Sequence, residues 1–205
     1  MIRRIAVSAA AVALLTSGLV AGGITSASAG KPLVTAVGSA TCGAPGSGKG
    51  KVVPPFTLVA QPGNRVTTSK FKTTCTGTTG NPLVTPTSAK IVSTSTSSAA
   101  ATCVTLQMGG EAPTNTVVDI FWKASGGKIN PTHIVYTTIL GGTPANGFTL
   151  PGPTGTATVT GSYAGNNSVS QVVVSDTVAA LTAKCLGKGI KKLNFGSGGS
   201  LSITP

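Results

Sequence analysis

Acidic residues are almost missing from this chain. Its 205 residues hold 3 Asp and Glu against 15 Lys and Arg, with 1 His. That scarcity excludes most hydrolytic chemistry at the outset. The acids are Glu111, Asp119 and Asp176, and the histidine is His133. Glycoside hydrolysis by paired carboxylates would need two of those three to converge, and Asp176 sits where a helix cap is expected. A hairpin could bring His133 to Asp119, but no G-x-S-x-G turn accompanies them to present a nucleophile. The chain is therefore read as non-catalytic, with no cofactor. Metal ligands are equally few: no CxxC spacing occurs and the lone His is distant from the cysteines, which argues against a zinc site.

Aromatic residues make up 4% of the chain and charged ones 9%, the latter far below the usual quarter. Arginine occurs only at Arg3, Arg4 and Arg65. Specific nucleic-acid binding relies on stacking platforms or an Arg-rich face, and neither is available. Sugar stacking would fall to Trp122, Tyr136 and Tyr163. The first two lie on apolar alternations, which assigns them to a core. A mean hydropathy of +0.33 excludes the charged, core-poor composition of a disordered chain. No apolar run after residue 29 is long enough to span a bilayer.

What is present begins with an export signal. Arg3 and Arg4 precede a mostly apolar stretch from Ile5 to Val20, and Ala27-Ser28-Ala29 is a small-x-small cleavage site. This reads as a secretory signal peptide over 1–29, followed by one secreted domain over 30–205 that is large enough for a core. The four cysteines, Cys42, Cys75, Cys103 and Cys185, imply two disulfides in an exported chain. Spacing leaves every pairing open. Cys42–Cys75 with Cys103–Cys185 is favoured because it would tie two neighbouring strands together and tie a helix to the sheet.

Thr, Val and Gly dominate in place of charge, a composition suited to pleated strands and tight turns. The richest stretch runs from Asn115 to Leu140. Val118, Ile120 and Trp122 alternate on one side of Ser125-Gly126-Gly127, and Ile134, Tyr136, Thr138 and Leu140 alternate on the other. That period of two predicts a core hairpin. Further strands are expected at Lys51–Ala60, bent or at an edge because of Pro54-Pro55, and at Arg65–Cys75, Ser88–Thr96 and Ala101–Met108. Others follow at Phe148–Leu150, Thr156–Tyr163, Val169–Val174, Ile190–Phe195 and Leu201–Thr204. One helix is expected, capped by Ser175 or Asp176, with Val178, Leu181, Cys185 and Leu186 on one face and Gly187 as its stop. The predicted fold is all-β: a single-domain antiparallel β-sandwich, with a closed β-barrel as the alternative, and one short helix near the C-terminus.

Residues 43–50 read GAPGSGKG, a string resembling the phosphate-binding loop of P-loop proteins. The hydroxyl that would hold magnesium is replaced by Lys51, and Val52-Val53-Pro54-Pro55 cannot continue the helix such a loop opens. It is read as a Gly/Ser turn.

The net charge is +12, of which Arg3 and Arg4 supply two. Lys49, Lys51, Arg65, Lys70 and Lys72 cluster early. Lys184, Lys188, Lys191 and Lys192 cluster late. If the fold brings the clusters together, Lys51, Arg65, Lys70, Lys72, Lys188, Lys191 and Lys192 form a basic face. It would attract an anionic cell-envelope polymer or lipid surface through a salt-sensitive field. On the bland reading, the lysines only keep a hydroxyl-rich surface soluble. A barrel would instead suggest a carrier of a small apolar ligand.

Several segments together resemble a family of small, Ala/Gly/Thr-rich exported proteins of actinobacteria. They are the signal peptide, Cys42 ahead of Pro54-Pro55, Cys75-Thr76-Gly77, Cys103, Ile120-Phe121-Trp122-Lys123, Lys128-Ile129-Asn130-Pro131, Gly161-Ser162-Tyr163-Ala164-Gly165 and Lys191-Lys192-Leu193. The resemblance implies export and a β-rich fold, and it carries over no site residue.

Overall fold

A computed structural model of the chain describes residues 30–43, 48–108, 113–139, 141–143, 146–151 and 155–205. The expected signal peptide, Glu111, Leu140 of the expected core hairpin and the centre of the Gly/Ser turn lie outside the described residues. In chain order the elements are β1 (Leu33–Val34), β2 (Ala40–Cys42), β3 (Gly48–Phe56), β4 (Arg65–Gly77), β5 (Thr85–Ser97), α1 (Cys103–Met108), β6 (Pro113–Ser125), β7 (Lys128–Ile129) and β8 (Thr132–Ile139). They continue with β9 (Gly141–Thr143), β10 (Gly147–Leu150), β11 (Thr156–Gly161), β12 (Asn167–Val172), α2 (Val178–Leu186), β13 (Ile190–Phe195) and β14 (Ser200–Thr204).

The fold is all-β and antiparallel apart from the small β1–β7 pair. The main sheet is 12-stranded, runs in the order β11-β8-β6-β5-β4-β2-β14-β12-β10-β9, and carries a branch through β3 to β13. β4 is the fork. Its first half pairs with β3 and its last residues with β2, while β5 lines its other side. The two layers therefore share β4 and face each other across the interior, where the Tyr136 hydroxyl meets Ser168 Oγ at 2.8 Å. Burial pushes the Tyr136 phenol up to about 12, with the Ser168 bond opposing the shift. Among the described residues β9 and β11 do not pair, so the sheet curls into an open half-barrel and does not close into a barrel.

The core hairpin forms as its alternation predicts. β6 and β8 pair from Pro113↔Ile139 to Ile120↔Thr132, and Val118, Ile120, Trp122, Ile134 and Tyr136 are all buried. Trp122 donates to Thr132 Oγ1 and packs edge-on against Tyr163. All three candidate sugar-stacking aromatics are thus core residues. Gly126, at φ +73, makes the turn, and a Cβ there would strike the Leu83 carbonyl oxygen. Pro54-Pro55 sits where neither ladder needs a donor. β4 pairs β3 only through Val53, and the β13 register shifts between Ile190 and Lys192. β3 is therefore internal, with an irregular register beside its prolines, and β13 is the edge.

Two expectations are corrected. Residues 103–108, predicted as part of a strand, form α1. Thr102 and Thr105 exchange hydroxyl-to-backbone hydrogen bonds at its start, a reciprocal cap of the kind that opens a helix. The alternation of Val104 and Leu106 was too short to distinguish strand from helix. The helix near the C-terminus is present as α2, ending at Gly187, but its cap is Thr177, whose hydroxyl accepts from the Ala180 N–H. Leu181 and Cys185 are buried, whereas Val178 and Leu186 are exposed. The disulfides are Cys42–Cys75 and Cys103–Cys185. The first joins neighbouring strands; the second joins α1 to α2, because Cys103 is itself helical.

Candidate functional site: a lysine sheet and the cavity behind it

Strand pairing decides where the lysines go. On β4 the alternation puts Thr67, Ser69, Phe71 and Thr73 inward, and Lys70 and Lys72 outward. Residues directly opposite in a sheet share a face. Lys70 faces Lys49 on β3, and Lys72 faces Lys90 on β5. Lys51 faces Lys192 on β13. The early and late clusters thus merge on the outer face because β13 pairs with β3, a link between residues some 140 positions apart that no local pattern announces. Lys90 lies opposite Phe121 on β6, with its Nζ 5.7 Å from the ring centre, and Lys123 follows two residues on. Lys90 and Lys123 were not among the sequence-predicted site residues. Their outward parity on strongly alternating strands was the signal available. Lys191 is exposed beside Lys192, and Lys188 is exposed in the turn before β13.

Arg65 does not belong to this face. It is fully buried and donates to the carbonyls of Ala99 at 2.9 Å and of Gln61 and Gly63 at 3.4 Å. Its inward parity, shared with Ser69 and Phe71, makes it a fastener of the β3–β4 loop. Lys184 is also engaged, bonded to Asp176 at 2.8 Å. Asp176 further accepts from the backbone and side-chain nitrogens of Asn194. Burial pushes its pKa up, but the bonds from Lys184 and Asn194 outweigh burial and lower it.

The outer face has a single acid among the described residues, and that acid is already bonded. Asp119 sits beside His133, Oδ1 to Nδ1 at 2.8 Å. The pair lies in one cross-strand row with Lys70 and Val92. The two side chains are 44% and 47% exposed on an open sheet face, and they line neither cavity in the interior. Among the described residues, no three His, Cys, Asp or Glu side chains cluster as metal ligands do. Gly48–Lys49–Gly50 opens a strand, where a phosphate loop would open a helix.

Behind the lysines, on the inner side of the same strands, lies a cavity of about 100 Å³. One wall carries Thr67 and Ser69 of β4 with Ser93, Ser95 and Ser97 of β5. Phe71 of β4 continues that wall, and Phe148, Leu150, Leu193 and Phe195 supply the rest of the apolar lining. A smaller space of about 40 Å³ adjoins it, sharing Phe71, Ser93, Leu150 and Val172.

Comparison with known proteins finds no matching family model, no similar curated protein and no similar solved structure.

Proposed function

We propose that this chain is a non-catalytic, extracytoplasmic binding protein whose lysine sheet holds anionic envelope material, either polymer or lipid headgroup. One observation carries the reading. Lys49–Lys70, Lys51–Lys192 and Lys72–Lys90 stand directly opposite one another, and among the described residues none of these six lysines is in an ion pair. Like charges placed so destabilise a sheet. A protein selected only for solubility gains nothing from stacking them in register. An anionic partner laid across the face removes the repulsion and releases counterions.

The face is open and pleated, which suits an extended partner better than a small one. Strands lie about 4.8 Å apart and alternate residues about 7 Å along a strand, so the ammonium groups form a grid. The two disulfides support an oxidising, extracytoplasmic location. Among the described residues no helix is long and apolar enough to cross a membrane. Beside the grid, Val53 and Val66 form an exposed cross-strand pair, and Leu58 and Val59 are exposed in the following loop. Aliphatic side chains next to lysines favour the lipid arm of the reading.

The test is sedimentation with vesicles containing phosphatidylglycerol or only phosphatidylcholine, alongside retention on immobilised polyphosphate, from low to high salt. Binding to the anionic surfaces that fades with salt is expected. A Lys51→Gln/Lys72→Gln/Lys192→Gln variant should bind on the order of 100-fold more weakly, at about 1 kcal/mol for each lysine. Absence of binding at low salt, or a triple variant that binds like the parent, overturns the reading. Selective loss of vesicle binding in a Leu58→Ser/Val59→Ser variant would identify lipid as the partner.

A further inference from the structure

Five inward positions on two neighbouring central strands carry hydroxyls where a core would carry Val or Ile. Thr67 lies opposite Ser95, and Ser69 opposite Ser93. Ser97 continues the row along β5. Inward positions of a buried sheet are normally filled to high density by branched apolar side chains. Here the small residues leave about 100 Å³ unfilled, and unfilled core volume destabilises a fold. The hydroxyls add a second cost, because polar groups against apolar walls need partners. Ser95 bonds to Thr116 at 2.9 Å. The hydroxyls of Thr67, Ser69, Ser93 and Ser97 have no hydrogen-bond partner among the described residues. None of them is a sealed, unsatisfied atom, so their bonding capacity opens into the cavity.

We propose that this cavity is a binding site for a small neutral amphiphile, about one ring in size, with hydroxyl or carbonyl groups along one edge. Each property follows from the lining. The size is near that of engineered apolar cavities of about 150 Å³ that take up benzene. Phe71, Phe148 and Phe195 offer ring faces and edges to an apolar body. The serine row runs along one wall, so the ligand's polar groups lie on one edge rather than at one tip. Among the described residues no titratable side chain lines the cavity. A charged ligand would lose its hydration without gaining a counterion, which strongly favours a neutral one. The site is independent of the lysine grid, which lies on the opposite face of the same strands.

The experiment is an NMR titration of the isotope-labelled protein with phenol, toluene and benzoate, probes of one size that differ in polarity and charge. Saturable phenol shifts are expected at Phe71, Ser93 and Phe195. Toluene should bind roughly fivefold more weakly, the worth of about one net hydrogen bond, and benzoate should not bind. Ser93→Leu fills the space and should abolish binding of both neutral probes. Ser93→Ala preserves the space, and should weaken phenol several-fold while leaving toluene unchanged; it decides the matter if the leucine variant does not fold. No saturable phenol binding, equal affinity for phenol and toluene, or a Ser93→Ala variant that titrates like the parent overturns the proposal.

Discussion

Lys72 on β4 stands directly opposite Lys90 on β5, two ammonium groups in register with no acid between them. Such a pair costs a few tenths to about 1 kcal/mol. Lys72→Glu should therefore raise stability by about 0.5–1 kcal/mol in urea denaturation while weakening binding to anionic vesicles. The opposite signs are the point: a lysine kept for folding would lose stability on reversal.

Arg65 predicts the reverse pattern. Arg65→Ala removes hydrogen bonds to three carbonyl groups in a buried setting, and bonds from a charged donor are worth about 1.5–3 kcal/mol each. A loss of about 3 kcal/mol or more is expected in thermal or denaturant unfolding. Affinity for polyanions, measured on the folded fraction, should stay at the parent value.

Asp176 ties stability to pH. Its folded pKa is lowered, so its stabilising contribution is complete above the unfolded value of about 3.9. That contribution is lost as pH falls below about 4, toward and through the folded value. Asp176→Asn should destabilise by about 1–3 kcal/mol at neutral pH. It should also flatten the fall in stability below pH ~4, which denaturation at a series of pH values would register.

The bridge between the helices closes the longer loop, with a sequence separation of 82. In the chain-entropy model its removal costs about 4 kcal/mol. A Cys103→Ala/Cys185→Ala variant should show that loss. It should also weaken binding of neutral probes in the interior, because Leu106 of α1 lines the cavity. Full retention of stability would mean that the packing of α1 and α2 alone holds that end.

Local alternation in the sequence carries the burial pattern, and long-range pairing does not. Ile120, Trp122, Ile134 and Tyr136 announce their burial through a period of two, and β4 announces its lysine side in the same way. Arg65 was legible too, since it shares the parity of Phe71 and Cys75, but its charge suggested the surface. Only the loop carbonyls that accept from its terminal guanidinium nitrogens, all supplied by the folded backbone, explain its burial; its Nε has no partner among the described residues. The joining of Lys51 to Lys192 could not be read locally, because it rests on a pairing between distant strands. The cavity was present in the sequence as Ser93-Thr94-Ser95-Thr96-Ser97. Its meaning depends on what stands opposite, and Phe148 and Phe195 arrive from the other layer and the far branch.

The shared strand β4 also sets an order in time. Its two partners on one side, β3 and β2, are completed by β13 and β14, so residues 190–204 are the last pieces of both layers. Pairings this distant close slowly. A ribosome-bound chain that has not yet released these residues leaves β2 and β3 with bare edges, and its core is open on both sides of the fork. The domain thus closes only once residues 190–204 are free to pair, and protease resistance should appear only in chains that extend through β14.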